Sequence, residues 1–87
     1  MPEVKVHICN EKGLHARAAS CFASEAAKYD SHITVSANNM SAEATSIMGL
    51  MMLTAAKGCE VTIIAEGLQA QEALEALGNL ICAGFHE

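Results

Sequence analysis

His15 and Arg17 stand two residues apart in Gly13-Leu14-His15-Ala16-Arg17-Ala18-Ala19, and they are the residues of this chain best equipped for chemistry. A neutral imidazole offers a nucleophilic nitrogen near pH 7. A guanidinium offers a fork of donors for a carboxylate or a phosphate. The pattern around them predicts that a strand and a glycine turn give way here to a helix. His15 then falls at the helix cap or one residue before it. Two local rules are broken. Helix starts favour Ser, Thr, Asp or Asn as the cap. They also favour acidic side chains in the first turn, because the N-terminus carries roughly half a positive charge. Here the first turn holds an arginine and no carboxylate. A cation beside free N–H donors suits an anion that comes and goes.

At the cap, the His15 ring stands beside the N–H groups of Ala16 and Arg17. The positive helix end disfavours imidazolium and leaves the ring neutral and nucleophilic. A phosphoryl group on the ring reverses the balance, because the N–H groups and the Arg17 guanidinium then face a dianion and donate charge-assisted hydrogen bonds. A place that disfavours a proton and favours a phosphate is what a phosphohistidine needs. The plainer reading makes His15 a surface residue at a helix start and Arg17 a solvated side chain. Against it stands the combination of glycine turn, exposed histidine, arginine two residues on, small residues behind, and a second, apolar surface elsewhere in the chain.

The elements that must hold this stretch are legible in the patterning. Val4, Val6 and Ile8 alternate with Lys5, His7 and Cys9 as a half-buried strand, and Asn10 to Gly13 turn the chain. A helix follows from about Ala16 to Lys28, its inner stripe being Ala19, Phe22, Ala23, Ala26 and Ala27. His32 to Ala37 is a second strand. Asn38-Asn39 is a tight turn, since Asn tolerates positive φ, and Met40 to Ala44 completes a hairpin. Thr45-Ser46 caps a short helix from Ile47 to about Leu53 or Ala55. Glu60 to Glu66 is the fourth strand, with Val61, Ile63 and Ala65 inward. The last helix runs from about Ala70 to Cys82 on Ala70, Ala73, Leu74, Leu77 and Ile81, with Glu72 and Glu75 outward.

Alternating strands bury one face only, so the helices cover one side of a sheet and the other side meets water. This is a two-layer α+β architecture in the order βαββαβα. On element order alone the strand order would be ferredoxin-like. The short middle helix is apolar nearly all round, at Ile47, Met48, Leu50, Met51, Met52 and Leu53. It is either sunk in the core or carries a methionine-rich patch, and Met adapts to several partner surfaces.

The 87 residues make one domain, and the formal charge of −5 argues against nucleic acid as a partner. No apolar run approaches a membrane span, and nothing at the N-terminus reads as a secretion signal. The four cysteines, Cys9, Cys21, Cys59 and Cys82, are expected to be reduced, mostly buried small hydrophobes of a cytoplasmic protein. Their spacing does not suit a structural zinc site.

Gly13-Leu14-His15-Ala16-Arg17 resembles the active-site motif of HPr, the histidine-containing phosphocarrier family of the bacterial phosphoenolpyruvate-dependent phosphotransferase system. Ser46-Ile47-Met48-Gly49-Leu50-Met51 resembles its second motif, and the likeness extends over the whole chain. The resemblance implies an open-faced β-sandwich with a four-stranded antiparallel sheet of order 1-4-2-3, covered on one face by three helices. It implies a monomeric carrier, not an enzyme, without metal or cofactor. His15 would be phosphorylated on Nδ1 by phospho-enzyme I and would pass the group to a histidine of an enzyme IIA. Arg17 would steady the phosphoryl group, with backbone N–H groups of Ala16 and Arg17. Ser46 would be a regulatory site for HPr kinase/phosphorylase, and Ile47, Met48 and Met51 a docking patch.

The chain departs from the family pattern at Ala18, where many members carry proline, and at Thr45, where many carry lysine. Its Met-rich second motif also resembles forms of the nitrogen-related branch, where the branch ends in a regulatory enzyme IIA. Two readings from other classes compete. One is a regulatory binding module acting through Ser46, which has no need of a nucleophile at His15. The other is a small hydrolase or metal-binding domain using His7, Cys9 and His15. Strand alternation opposes it by sending His7 and Cys9 to the face away from the helices.

Overall fold

The structure, a computed structural model, describes residues 2–86. Its elements are β1 (Glu3–His7), α1 (Ala16–Ala26), β2 (His32–Ala37), β3 (Met40–Glu43), α2 (Ile47–Met52), β4 (Glu60–Glu66) and α3 (Ala70–Cys82), followed by a 3₁₀ turn over Gly84–His86. The four strands form one antiparallel sheet in the order β1-β4-β2-β3. That is the order the HPr resemblance implies, and the ferredoxin-like arrangement suggested by element order alone is not adopted. The central strands β2 and β4 follow the expected alternation, with Ile33, Val35 and Ala37 and Val61, Ile63 and Ala65 buried under the helices.

The core lies between that sheet face and the three helices. Phe22 of α1, Leu50 of α2 and Leu77 and Ile81 of α3 meet Ile8, Val35, Val61 and Ile63 in it. Such apolar side chains contribute about 1.5–3 kcal/mol each on full burial. α3 keeps its expected bounds and buries all five expected inward residues. α1 ends earlier than the periodicity suggests. Ala27 is its C-cap and is exposed, because the chain tightens into a bond from Lys28 N to Glu25 O and turns away. α2 ends at Met52, with Leu53 as its buried C-cap.

The hairpin between β2 and β3 turns on Asn38 (φ 52°) and Asn39 (φ 64°). Two successive positive φ angles make a type I′ turn, whose twist matches that of paired strands. Asn38 also donates through Nδ2 to Leu53 O at 2.8 Å, tying the hairpin to the end of α2.

Cys9 departs from expectation. β1 stops at His7, so strand alternation no longer governs Cys9. Its thiol turns to the last carbonyls of α3, donating to Ile81 O at 3.2 Å and Cys82 O at 3.3 Å. None of the four cysteines is buried: Cys9 and Cys82 are exposed, and Cys21 and Cys59 are half-buried. All four are free thiols. No helix among the described residues is long and apolar enough to cross a membrane.

Candidate functional site

The approach to α1 is built from backbone constraints. Gly13 takes φ 65°, and a Cβ there would stand 2.4 Å from Ala55 O, so glycine is required both for the turn and for the close approach. Asn10 Nδ2 donates to Gly13 O at 2.9 Å and closes the loop. Leu14 N donates to Ala55 O at 2.9 Å while its side chain plugs into the core. The residue after this anchor is His15.

His15 is the N-cap of α1, in extended conformation with φ −83° and ψ −177°. Its carbonyl accepts from Ala19 N at 2.8 Å, the first bond of the helix. Its Nδ1 accepts from Arg17 N at 3.3 Å. The imidazole thus does the work that a Ser or Asp oxygen does at an ordinary cap. A nitrogen that accepts carries its lone pair, so the nucleophilic pair of Nδ1 points at the helix start and its N–H groups. The ring is half-buried, not fully exposed as the sequence suggests, while Ala16 and Arg17 are exposed and Ala18 and Ala19 are buried behind them.

Arg17 lines an open cleft of about 440 Å³ with Cys9, Asn10, Glu11 and Lys12. Among the described residues no carboxylate forms an ion pair with its guanidinium. Glu11, the acid of the cleft, is paired with Lys57 instead. That hydrogen bond and charge hold the Glu11 carboxyl below its ordinary range. The first turn of α1 contains no acidic residue. Among the described residues, the one carboxylate of the cleft is thus engaged by Lys57 and not by the guanidinium at the helix end.

Ser46 is the N-cap of α2, and its hydroxyl accepts from Gly49 N at 3.1 Å. Gly49 is small for a reason of packing: a Cβ there would meet Ala42 Cβ and Ser46 Oγ at 3.0 Å. Beyond this cap the helix divides cleanly. Leu50 is fully buried, whereas Met48 is 74% exposed and Ile47, Met51 and Met52 are exposed as well. Met40, which pairs with Ala37 at the tip of the β2–β3 hairpin, is also exposed. α2 packs against α1, so this surface adjoins the element that carries His15. His7 lies elsewhere, on the open sheet face beside Glu60, and is not brought to His15. Sequence reasoning missed the contributions of Asn10, Ala55 and Asn38. Two of these act through amide side chains and one through a carbonyl, and none leaves a periodic signal.

A capping histidine aimed at helix N–H groups, an arginine with no carboxylate ion pair among the described residues and an adjoining apolar helix thus stand on neighbouring elements. The family described as PTS HPr component phosphorylation site matches residues 2–83. The chain is 49% identical to phosphocarrier protein HPr of Vibrio cholerae, over 93% of this chain and 95% of that one. It is 41% identical to phosphocarrier protein NPr of Shewanella violacea, over 98% of this chain and 93% of that one. The fold superposes on the crystal structure of HPr-C-His from Thermoanaerobacter tengcongensis with a TM-score of 0.94 at 44% identity, covering 100% of this chain and 98% of that one. The chain belongs to the HPr family of phosphotransferase-system phosphocarriers.

Proposed function

We propose that residues 1–87 form one phosphocarrier domain that takes a phosphoryl group from phospho-enzyme I onto His15 Nδ1 and delivers it to a histidine of an enzyme IIA. The observation that carries this reading is the Nδ1 lone pair aimed at the start of α1. In the first step that lone pair attacks phosphorus in line, and the bond from phosphorus to the donor's histidine nitrogen breaks. The electron pair of that bond returns to the donor ring. The Arg17 N–H then exchanges a ring nitrogen for a phosphoryl oxygen. The N–H of Ala16 and the Arg17 guanidinium add further donors. The second step is the reverse displacement onto the acceptor. Positioning and electrostatics suffice for both, as in other phosphoryl transfers, and neither needs a metal or cofactor on this chain.

Ile47, Met48 and Met51 are the docking contacts for both partners. Ser46 is a regulatory position for an HPr kinase/phosphorylase. A phosphate on it suits the start of α2, so the fold survives. The same charge beside the apolar patch hinders docking. The protein acts as a cytoplasmic monomer. A second reading places it in the nitrogen-related branch, supported by its likeness to NPr over nearly the whole chain.

The relay itself is the test. The chain is mixed with enzyme I, labelled phosphoenolpyruvate, Mg²⁺ and either a sugar-branch or a nitrogen-branch enzyme IIA. Label is expected on the enzyme IIA only when the chain is present, and His15→Ala is expected to stop it. Label that stops at enzyme I, or reaches the acceptor through His15→Ala, contradicts the carrier reading. The acceptor labelled faster assigns the branch.

A further inference from the structure

Cys9 and Cys82 are 73 positions apart in the chain and in contact in space. The Cys9 thiol lies 3.3 Å from the carbonyl oxygen of Cys82 and 3.2 Å from that of Ile81. Both side chains are exposed, so each can rotate about χ1 without displacing core atoms. The carbonyl carbon and Cβ of Cys82 branch from the same Cα. The Cys9 sulfur therefore lies beside the backbone of the residue whose thiol it would join. α3 ends at Cys82, its cap is Ala83, and Gly84 follows at φ 67°. A side chain at Gly84 would meet Asn10 Cβ at 3.5 Å and Cys9 Sγ at 4.0 Å, so this turn already lies on the Cys9 loop. The other two thiols are placed differently. Cys21 is on α1, and Cys59 donates to Asn38 Oδ1 and Glu60 O, both at 3.6 Å.

We propose that Cys9 and Cys82 form a reversible intramolecular disulfide that clamps the end of α3 to the loop leading into α1. The oxidant is a low-molecular-weight disulfide. The Cys9 thiol is engaged by two carbonyls, so Cys82 attacks first. Its thiolate, having lost a proton to solvent, displaces one thiolate from the small disulfide and forms a mixed disulfide. Cys9 loses its proton in turn and attacks the Cys82 sulfur, releasing the second small thiolate. Two protein thiols are oxidised by two electrons, one small disulfide is reduced to two thiols, and the two protons go to them. Cys9 also lines the Arg17 cleft, so the clamp fixes one wall of that cleft. The cross-link closes most of the chain into one loop and restricts the unfolded state strongly.

The full-length protein is treated with increasing oxidised glutathione, then analysed by intact mass, non-reducing peptide mapping and thermal melting. The expected product has lost two hydrogens, carries a Cys9–Cys82 linkage and melts about 10 °C higher, and dithiothreitol reverses all three changes. Cys82→Ser and Cys9→Ser are each expected to abolish closure, and Cys21→Ser to leave it intact. Serine at position 9 keeps the donor to the α3 carbonyls, and Cys82→Ser removes the partner without touching that contact. Thiols that stay free, glutathione that accumulates without closure, a linkage to Cys21 or Cys59, or an intermolecular dimer would each overturn the proposal. None of these readouts depends on phosphoryl transfer, so they stand apart from the carrier reading.

Discussion

At the scale of single residues, the same side chain type does different work at two places. His15 is fixed by a cap bond to Nδ1 and faces helix N–H groups. His32 lies on the open sheet face between two acids, with Nε2 at 2.8 Å from Glu43 and Nδ1 at 3.7 Å from Glu66. The hydrogen bond to Glu43, and then its charge, hold the His32 ring above its ordinary value of 6.5. A histidine whose pKa is raised by folding stabilises fully below its unfolded pKa, and that contribution is lost as pH rises through the folded pKa. An NMR titration is thus expected to place the His32 midpoint above 6.5. His32→Gln is expected to lower stability more at about pH 5.5 than at about pH 8.5. A midpoint at or below the ordinary value would contradict the ion pair. His15 and Arg17 were legible in the sequence because they violate the rules of helix starts. Cys9 escapes the alternation rule because β1 ends two residues before it.

At the scale of elements, α2 divides its apolar side chains between the core and water. It is six residues long, buries Leu50 and leaves its methionines in water. The sequence showed an all-round apolar helix but could not say which side was covered, since that depends on where β3 and α1 lie. Met48→Glu is expected to cost under about 0.5 kcal/mol of stability, as for other exposed sites, while weakening enzyme I and enzyme IIA binding at least tenfold by titration calorimetry. If instead it unfolds the protein, Met48 is a packing residue and the docking patch is misassigned.

The end of α2 carries a tension of its own. Thr54 follows the C-cap at φ 53°, a left-handed slot that glycine or asparagine usually fills. A β-branched residue there costs on the order of 1–3 kcal/mol. The costs are partly offset by the bond from its hydroxyl to Leu53 O at 2.7 Å. Thr54→Gly is expected to raise stability by about 1 kcal/mol, seen as a melting temperature roughly 4–8 °C higher. A lower melting temperature would show that the hydroxyl contacts outweigh the backbone strain. Nothing in the sequence marks this site, because threonine is neither a turn signal nor a breaker.

At the scale of the molecule, the sheet order decides how the parts meet. Placing β4 between β1 and β2 brings Ala55, in the segment just before β4, against Gly13 and Leu14, just after β1. It also sets the end of α3 on the Cys9 loop. Local patterning marks the four strands and three α-helices, while element order alone suggests other neighbours, since periodicity says which face is buried and not which strand is adjacent. The resemblance to HPr supplied the order, and the structure has it. The turn at Gly84–His86, with Phe85 buried at φ 57°, left no pattern short of its tertiary contacts.

A carrier of this family is proposed to hold its phosphoryl group on one nitrogen, His15 Nδ1. Incubation with enzyme I, phosphoenolpyruvate and Mg²⁺, followed by intact mass analysis, tests it most directly. The expected result is a gain of a single phosphate that is acid-labile and base-stable, mapped to His15 and absent from a folded His15→Ala variant. No gain with active enzyme I, or an equal gain in that variant, would contradict it.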